Sequence, residues 1–104
     1  MTTGARTVSI VLFEGFELLD VFGPAELFSP GHGLFVTHYI GPTREPVASI
    51  QGVAVVPDFS YADAPAPDIV LVPGGFGTRG FVADPEALSW LRDWAGQARI
   101  VTSV

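Results

Sequence analysis

The chain has 104 residues, 48% of them hydrophobic and only 15% charged, which allows one domain and excludes a disordered chain. Five arginines against eleven acidic residues give a formal net charge of −6 and no basic patch for nucleic-acid phosphates. The absence of Cys rules out, within these residues, a disulfide framework, a thiolate metal site and a cysteine nucleophile.

In chain order, residues 7 to 13 (TVSIVLF) are almost continuously apolar and stop at Glu14-Gly15, the pattern of a central strand covered on both faces. Leu18, Leu19, Val21, Phe22, Ala25, Leu27 and Phe28 then recur at helical spacing until Ser29-Pro30-Gly31. Pro24 lies inside that helix and cannot donate to the carbonyl of Asp20, so a kink or fresh start is expected near Gly23-Pro24, with irregular backbone around Asp20. Residues 34 to 41 form a second strand. Val47 to Ile50 and Val53 to Val56 form a hairpin around a two-residue connection, Gln51-Gly52, where Gly supplies a positive φ. Residues 57 to 67 read as loop.

Residues 68 to 72 (DIVLV) are a short apolar strand running into Pro73-Gly74-Gly75-Phe76-Gly77-Thr78-Arg79-Gly80, whose glycine density demands unusual backbone. Asp84-Pro85 starts a second helix, with Leu88, Leu91, Trp94 and Ala95 on one face, ending about Gln97. Residues 99 to 104 make a last strand. This alternation is that of an α/β protein with a mostly parallel sheet. Two helices are too few to cover both faces of a sheet whose first, DIVLV and last strands are apolar throughout, so either a partner covers the remainder or the natural chain continues beyond Val104, and continuation is the expectation.

No stretch approaches the length needed to span a bilayer, and the N-terminus shows no signal-peptide pattern, so the expected setting is cytoplasmic.

In open parallel sheets, ligands bind beyond the carboxyl ends of the strands. The loop after the first strand brings Asp20 there, flanked by Leu18, Leu19, Val21 and Phe22. Facing the protein, its carboxyl group would be desolvated and suited to proton transfer; otherwise it sits on a solvated side of the helix or bonds a nearby backbone amide. Glu14 and Glu17 read as exposed charges near a helix start. Gly74 and Gly75 either present free N–H groups to an anionic intermediate or make a tight turn. Gly75 to Gly80 also matches G-x-G-x-x-G. A dinucleotide site is not expected, because the helix such a loop should open begins only at Asp84 and no acidic residue ends the next strand.

His32 and His38 lack a metal-site pattern and read as structural; no serine sits in a G-x-S-x-G elbow; Trp90 and Trp94 read as core or interface packing.

Taken together, LFEGFELLDVFGPAELF (12 to 28), the Gly52 hairpin followed by Pro57-Asp58, DIVLVPGGFG (68 to 77), DPEAL (84 to 88) and RIVTSV (99 to 104) resemble the DJ-1/PfpI (ThiJ/PfpI) superfamily in order and over the whole chain. Within it they look most like isonitrile hydratases and the amidase-like sensor domains of AraC-type regulators. The resemblance implies a flavodoxin-like doubly wound sheet with helices on both faces, of the class I glutamine amidotransferase-like type, of which residues 1–104 are the N-terminal part. It implies that Asp20 hydrogen-bonds a catalytic cysteine and that Gly75, with Gly74 beside it, supplies an oxyanion-hole amide. The family's nucleophile follows the strand matching RIVTSV, just past Val104, so these residues alone would be inert. In a hydratase the cysteine would attack an isonitrile carbon and release an N-substituted formamide, with no cofactor and no metal. The alternative is a non-catalytic ligand-sensing domain of an AraC-type regulator; a redox-responsive protein or deglycase would also need the cysteine. Implied partners are a small molecule and a second copy in a homodimer, with neither nucleic acid nor membrane contacted by this segment.

Overall fold

The computed structural model describes residues 4–29 and 33–104; the expected helix stop at Pro30-Gly31 and the histidine at position 32 lie outside them. Five strands form one parallel sheet. They are β1 (Arg6–Val11), β2 (Phe35–Gly41), β5 (Phe59–Ser60), β6 (Ile69–Val72) and β7 (Ile100–Ser103), in the spatial order β5-β2-β1-β6-β7. The chain winds outward from β1 to β2 and β5, then returns to place β6 on β1's other side. That reversal between β1 and β6 is the switch point of a flavodoxin-like doubly wound sheet.

The helix α1 (Leu18–Phe28) and the helix α3 (Pro85–Ala95) lie on opposite faces, as right-handed crossovers in opposite directions require. Val8, Ile10 and Leu12 point to the α1 face, where they meet Val21 and Ala25. Val11 and Val70 meet Trp94 and Ala95 on the α3 face. β1 is therefore sealed on both sides, as its unbroken apolar run predicts. α3 starts as expected: the Asp84 carboxylate accepts hydrogen bonds from the N–H groups of Glu86 (3.1 Å) and Ala87 (3.2 Å), with Pro85 at the first helical position.

Several sequence expectations are corrected. α1 neither breaks nor restarts at Pro24 but runs on to Phe28, held by the burial of Val21 and Ala25 against the sheet. The hairpin of β3 (Val47–Ala48) and β4 (Ala54–Val55) closes through three residues rather than two. Ser49 pairs with Val53 (N to O 2.8 Å), and the Gly52 N–H returns to the Ser49 carbonyl at 3.0 Å. Gly52 does carry the positive φ, 88°, that a turn closed by a glycine bulge requires.

Strand β5 lies within the segment read as loop. Two residues are too short to show a period, and pairing with β2, with the Asp58 carboxylate accepting the Tyr39 N–H at 2.9 Å, creates it. A one-turn helix, α2 (Thr78–Val82), follows Gly77 directly, so a helix does open after the glycines. Gly80 within it and the glycines before it hide it in sequence, and Phe81, seated on Phe13 with ring centroids 5.2 Å apart, anchors it. Finally, β7 is exposed along its length, with Ile100 at 52% and Val101 at 58%, although its sequence predicts burial.

Candidate active site

The parallel sheet brings the loops after β1, β6 and β7 to one end. Leu12 and Phe13 leave β1 still buried, and the Tyr61 hydroxyl donates to the Leu12 carbonyl at 2.6 Å. Burial pushes that phenol well above its ordinary range, and the charge of Asp84 adds to the effect, so Tyr61 is a fixed neutral donor.

Beyond Phe13, the β1–α1 loop interlocks backbone to backbone with the glycine loop after β6. The Glu17 N–H donates to the Gly74 carbonyl at 2.9 Å, and the Gly77 N–H donates to the Gly15 carbonyl at 3.0 Å. No side chain fits between them. A Cβ on Gly75 would lie 2.7 Å from both the Glu17 nitrogen and the Gly15 oxygen, at a φ of +115°, and one on Gly77 would overlap the Glu14 carbonyl. The glycine density thus serves close approach of two loops.

The hairpin clamps this junction from the other side. Gly15 N–H donates to the Ala48 carbonyl at 2.8 Å, and Ile50 N–H donates to the Phe16 carbonyl at 2.9 Å. Gln51 then acts where α1 lacks a cap of its own. Its Oε1 accepts the Leu18 N–H at 3.2 Å, and its amide donates to Glu17 Oε2 at 2.7 Å. Glu14 accepts the Ala48 N–H at 3.3 Å. Both glutamates, read in sequence as solvated charges, tie loop to hairpin. Sequence reasoning missed Gln51 because nothing local to a hairpin turn announces the distant helix end that it caps.

Asp20, on the first turn of α1, is half-buried, and its Oδ2 accepts the Gly74 N–H at 2.9 Å. The carboxyl does accept from a backbone amide, but one 54 residues away in sequence rather than a nearby one. It has a consequence for the glycines: the Gly74 amide, expected to be free, is held by Asp20, whereas the Gly75 N–H has no acceptor among the described residues.

The third loop arrives at the same place. Val104 N–H donates to the Val72 carbonyl at 3.1 Å, and a Cβ on Gly74 would stand 3.0 Å from the Val104 carbonyl oxygen and 3.1 Å from Asp20 Oδ2. Asp20, Gly74 and the end of β7 thus converge at the β1/β6 switch point. A cleft of about 600 Å³, lined by Glu17, Ile50, Gln51, Gly75, Phe76, Thr78 and Arg79, adjoins this crevice through Gly75. Asp20 does not line it.

The other singled-out residues lie elsewhere. His38 packs edge-on against Phe59 with centroids 5.1 Å apart. Trp94 donates its indole N–H to the Pro65 carbonyl at 3.0 Å, and Trp90 stacks between Tyr61 (4.0 Å) and Trp94 (4.8 Å), so both tryptophans serve packing. Among the described residues, no helix is long and apolar enough to cross a membrane.

Comparison with known proteins gives concordant results. The sequence pattern of the DJ-1/PfpI family matches residues 6–104. An isonitrile hydratase of Pseudomonas putida is 33% identical over 100 residues, covering 96% of this chain and 43% of the hydratase. A ThiJ/PfpI family protein of Pseudomonas syringae superposes with a TM-score of 0.88 at 26% identity, over 96% of this chain and 42% of that one. A DJ-1 superfamily protein of Salmonella typhimurium superposes with a TM-score of 0.75 at 20% identity, over 94% of this chain and 54% of its own. The chain therefore spans less than half the length of the hydratase it matches.

Proposed function

The chain belongs to the DJ-1/PfpI family, and from that premise we propose that the full-length protein hydrates a small isonitrile to an N-substituted formamide through a cysteine supplied just after Val104. The observation that carries this reading is the convergence of the Asp20 carboxyl, the Gly74 amide and the Val104 carbonyl at the strand ends. A residue directly following Val104 would emerge beside Asp20.

In the proposed reaction the thiolate forms a bond to the terminal isonitrile carbon, and that carbon takes a proton from Asp20 to give a thioimidate. Water then adds across the carbon–nitrogen double bond: its oxygen bonds to the carbon while the Asp20 carboxylate relays one of its protons to the nitrogen. As the carbon–sulfur bond breaks, the remaining hydroxyl proton passes to Asp20, the Gly75 N–H supports the negative charge developing on the oxygen, the formamide leaves and the thiolate is restored. Asp20 is suited to the part because Gly74 fixes one carboxyl oxygen, Oδ2, and leaves Oδ1 without a hydrogen-bond donor among the described residues. The Pseudomonas putida relative bears the name of this activity, and that supports the substrate class.

The same reading makes the protein a homodimer. Leu19 (74% exposed) and Leu27 (80% exposed) on α1 offer apolar surface for it, and sedimentation of the full-length protein checks it.

The experiment is formamide production from a simple alkyl isonitrile by the full-length protein, wild type against Asp20→Asn. Loss of a positioned proton donor and acceptor should lower kcat by about 10²-fold or more, with the unfolding transition unchanged. Undiminished turnover in Asp20→Asn contradicts the role of Asp20. Saturable binding of small ligands with no turnover by wild type favours the sensor-domain alternative instead.

A further inference from the structure

Arg79 lies in α2 with its Cζ 5.6 Å from the centroid of the Phe76 ring, and both residues border the cleft of about 600 Å³. Arg44–Asp63 is the one ion pair among the described residues of a chain with eleven acidic side chains. Arg79 touches no carboxylate there. Glu17, the acidic residue of the same cleft, keeps its Oε2 on the Gln51 amide at 2.7 Å.

A guanidinium resting over an aromatic face is partly ordered before a ligand arrives, yet its edge still presents paired N–H donors that match a carboxylate. Phe76, 69% exposed, and Ile50, 47% exposed, add apolar surface to the same cleft. Gly75 lines the cleft and directly follows Gly74, whose N–H is held by Asp20, so the cleft adjoins the proposed reacting end.

We infer that Arg79 determines specificity by selecting substrates whose substituent is a short apolar chain ending in a carboxylate. The chain lies against Phe76 and Ile50, and the carboxylate takes the guanidinium edge. Only the identity of the reacting group at the Gly75 end rests on the isonitrile reading.

The test uses the full-length protein and two product-like probes that need no turnover, N-formylaminocaproate and the neutral N-hexylformamide, titrated calorimetrically at low salt. Wild type should bind the carboxylate roughly fivefold more tightly, the scale of one charge-assisted contact at an exposed site. Added salt should erode that margin. Arg79→Gln should abolish it while leaving the affinity for N-hexylformamide unchanged, and Arg79→Lys should keep part of it. Equal affinities in wild type, or a preference that survives Arg79→Gln, overturn the assignment. Turnover of isocyanohexanoate and hexyl isocyanide on the same samples should show the same preference in kcat/KM. No turnover of either, with the binding preference intact, overturns the proposed reaction and leaves the role of Arg79 standing.

Discussion

β1 and β7 are the same kind of sequence in opposite surroundings. Both are apolar strands paired in parallel with β6, yet Val8, Ile10 and Val11 are 0% exposed while Ile100 is 52% and Val101 58% exposed. β1 has a strand on each flank and a helix layer on each face; β7 has one flanking strand and no such cover among the described residues. An apolar run therefore states what a strand needs, and its neighbours decide whether it is met. The contrast divides the site as well. The wall made by the β1 and β6 loops is locked by glycine contacts and by the hairpin, whereas at β7 the described residues contribute Val104, held by its bond to Val72.

Truncating equivalent residues in the two strands should give the largest difference. In urea unfolding of the 104-residue chain, Ile10→Ala should cost about 3 kcal/mol, because it opens a cavity in a sealed core, whereas Val101→Ala should cost less than about 0.5 kcal/mol. Similar losses at both would refute the difference in burial. Gly75→Ala should cost about 2 kcal/mol, from its positive φ and the contact with the Gly15 carbonyl. Gln51→Ala should cost about 0.5 to 1 kcal/mol by leaving the Leu18 N–H uncapped, and hydrogen exchange should quicken at the start of α1.

The smallest effect concerns acid. The Thr7 backbone N–H, at 2.8 Å, holds the Asp68 carboxyl below its ordinary value of 3.8. A carboxyl lowered in the folded state contributes stability above its unfolded value and loses it as pH falls through the folded one. The stability gap between wild type and Asp68→Asn should therefore be full at neutral pH and close below about pH 4. A gap unchanged into strong acid would contradict this.

The long apolar periods were legible in sequence: β1, α1, β6 and α3 stand where spacing and capping put them, because their signals are local. β5 and α2 were not legible, since two and five residues carry no period and form only because β2 and Phe13 receive them. At the site, Asp20 and the paired glycines could be singled out by residue type. Their division of labour could not, because the bond from Gly74 to Asp20 and the capping by Gln51 link residues 54 and 33 positions apart.

If the end of β7 delivers a nucleophile to the wall built by Asp20 and the glycine loop, alkylating the full-length protein with iodoacetamide and sequencing, by mass spectrometry, the tryptic peptide that begins at Ile100 will find it. That peptide should run through Val104 directly into an alkylated cysteine. A peptide that ends at Val104, or continues without a cysteine there, contradicts it.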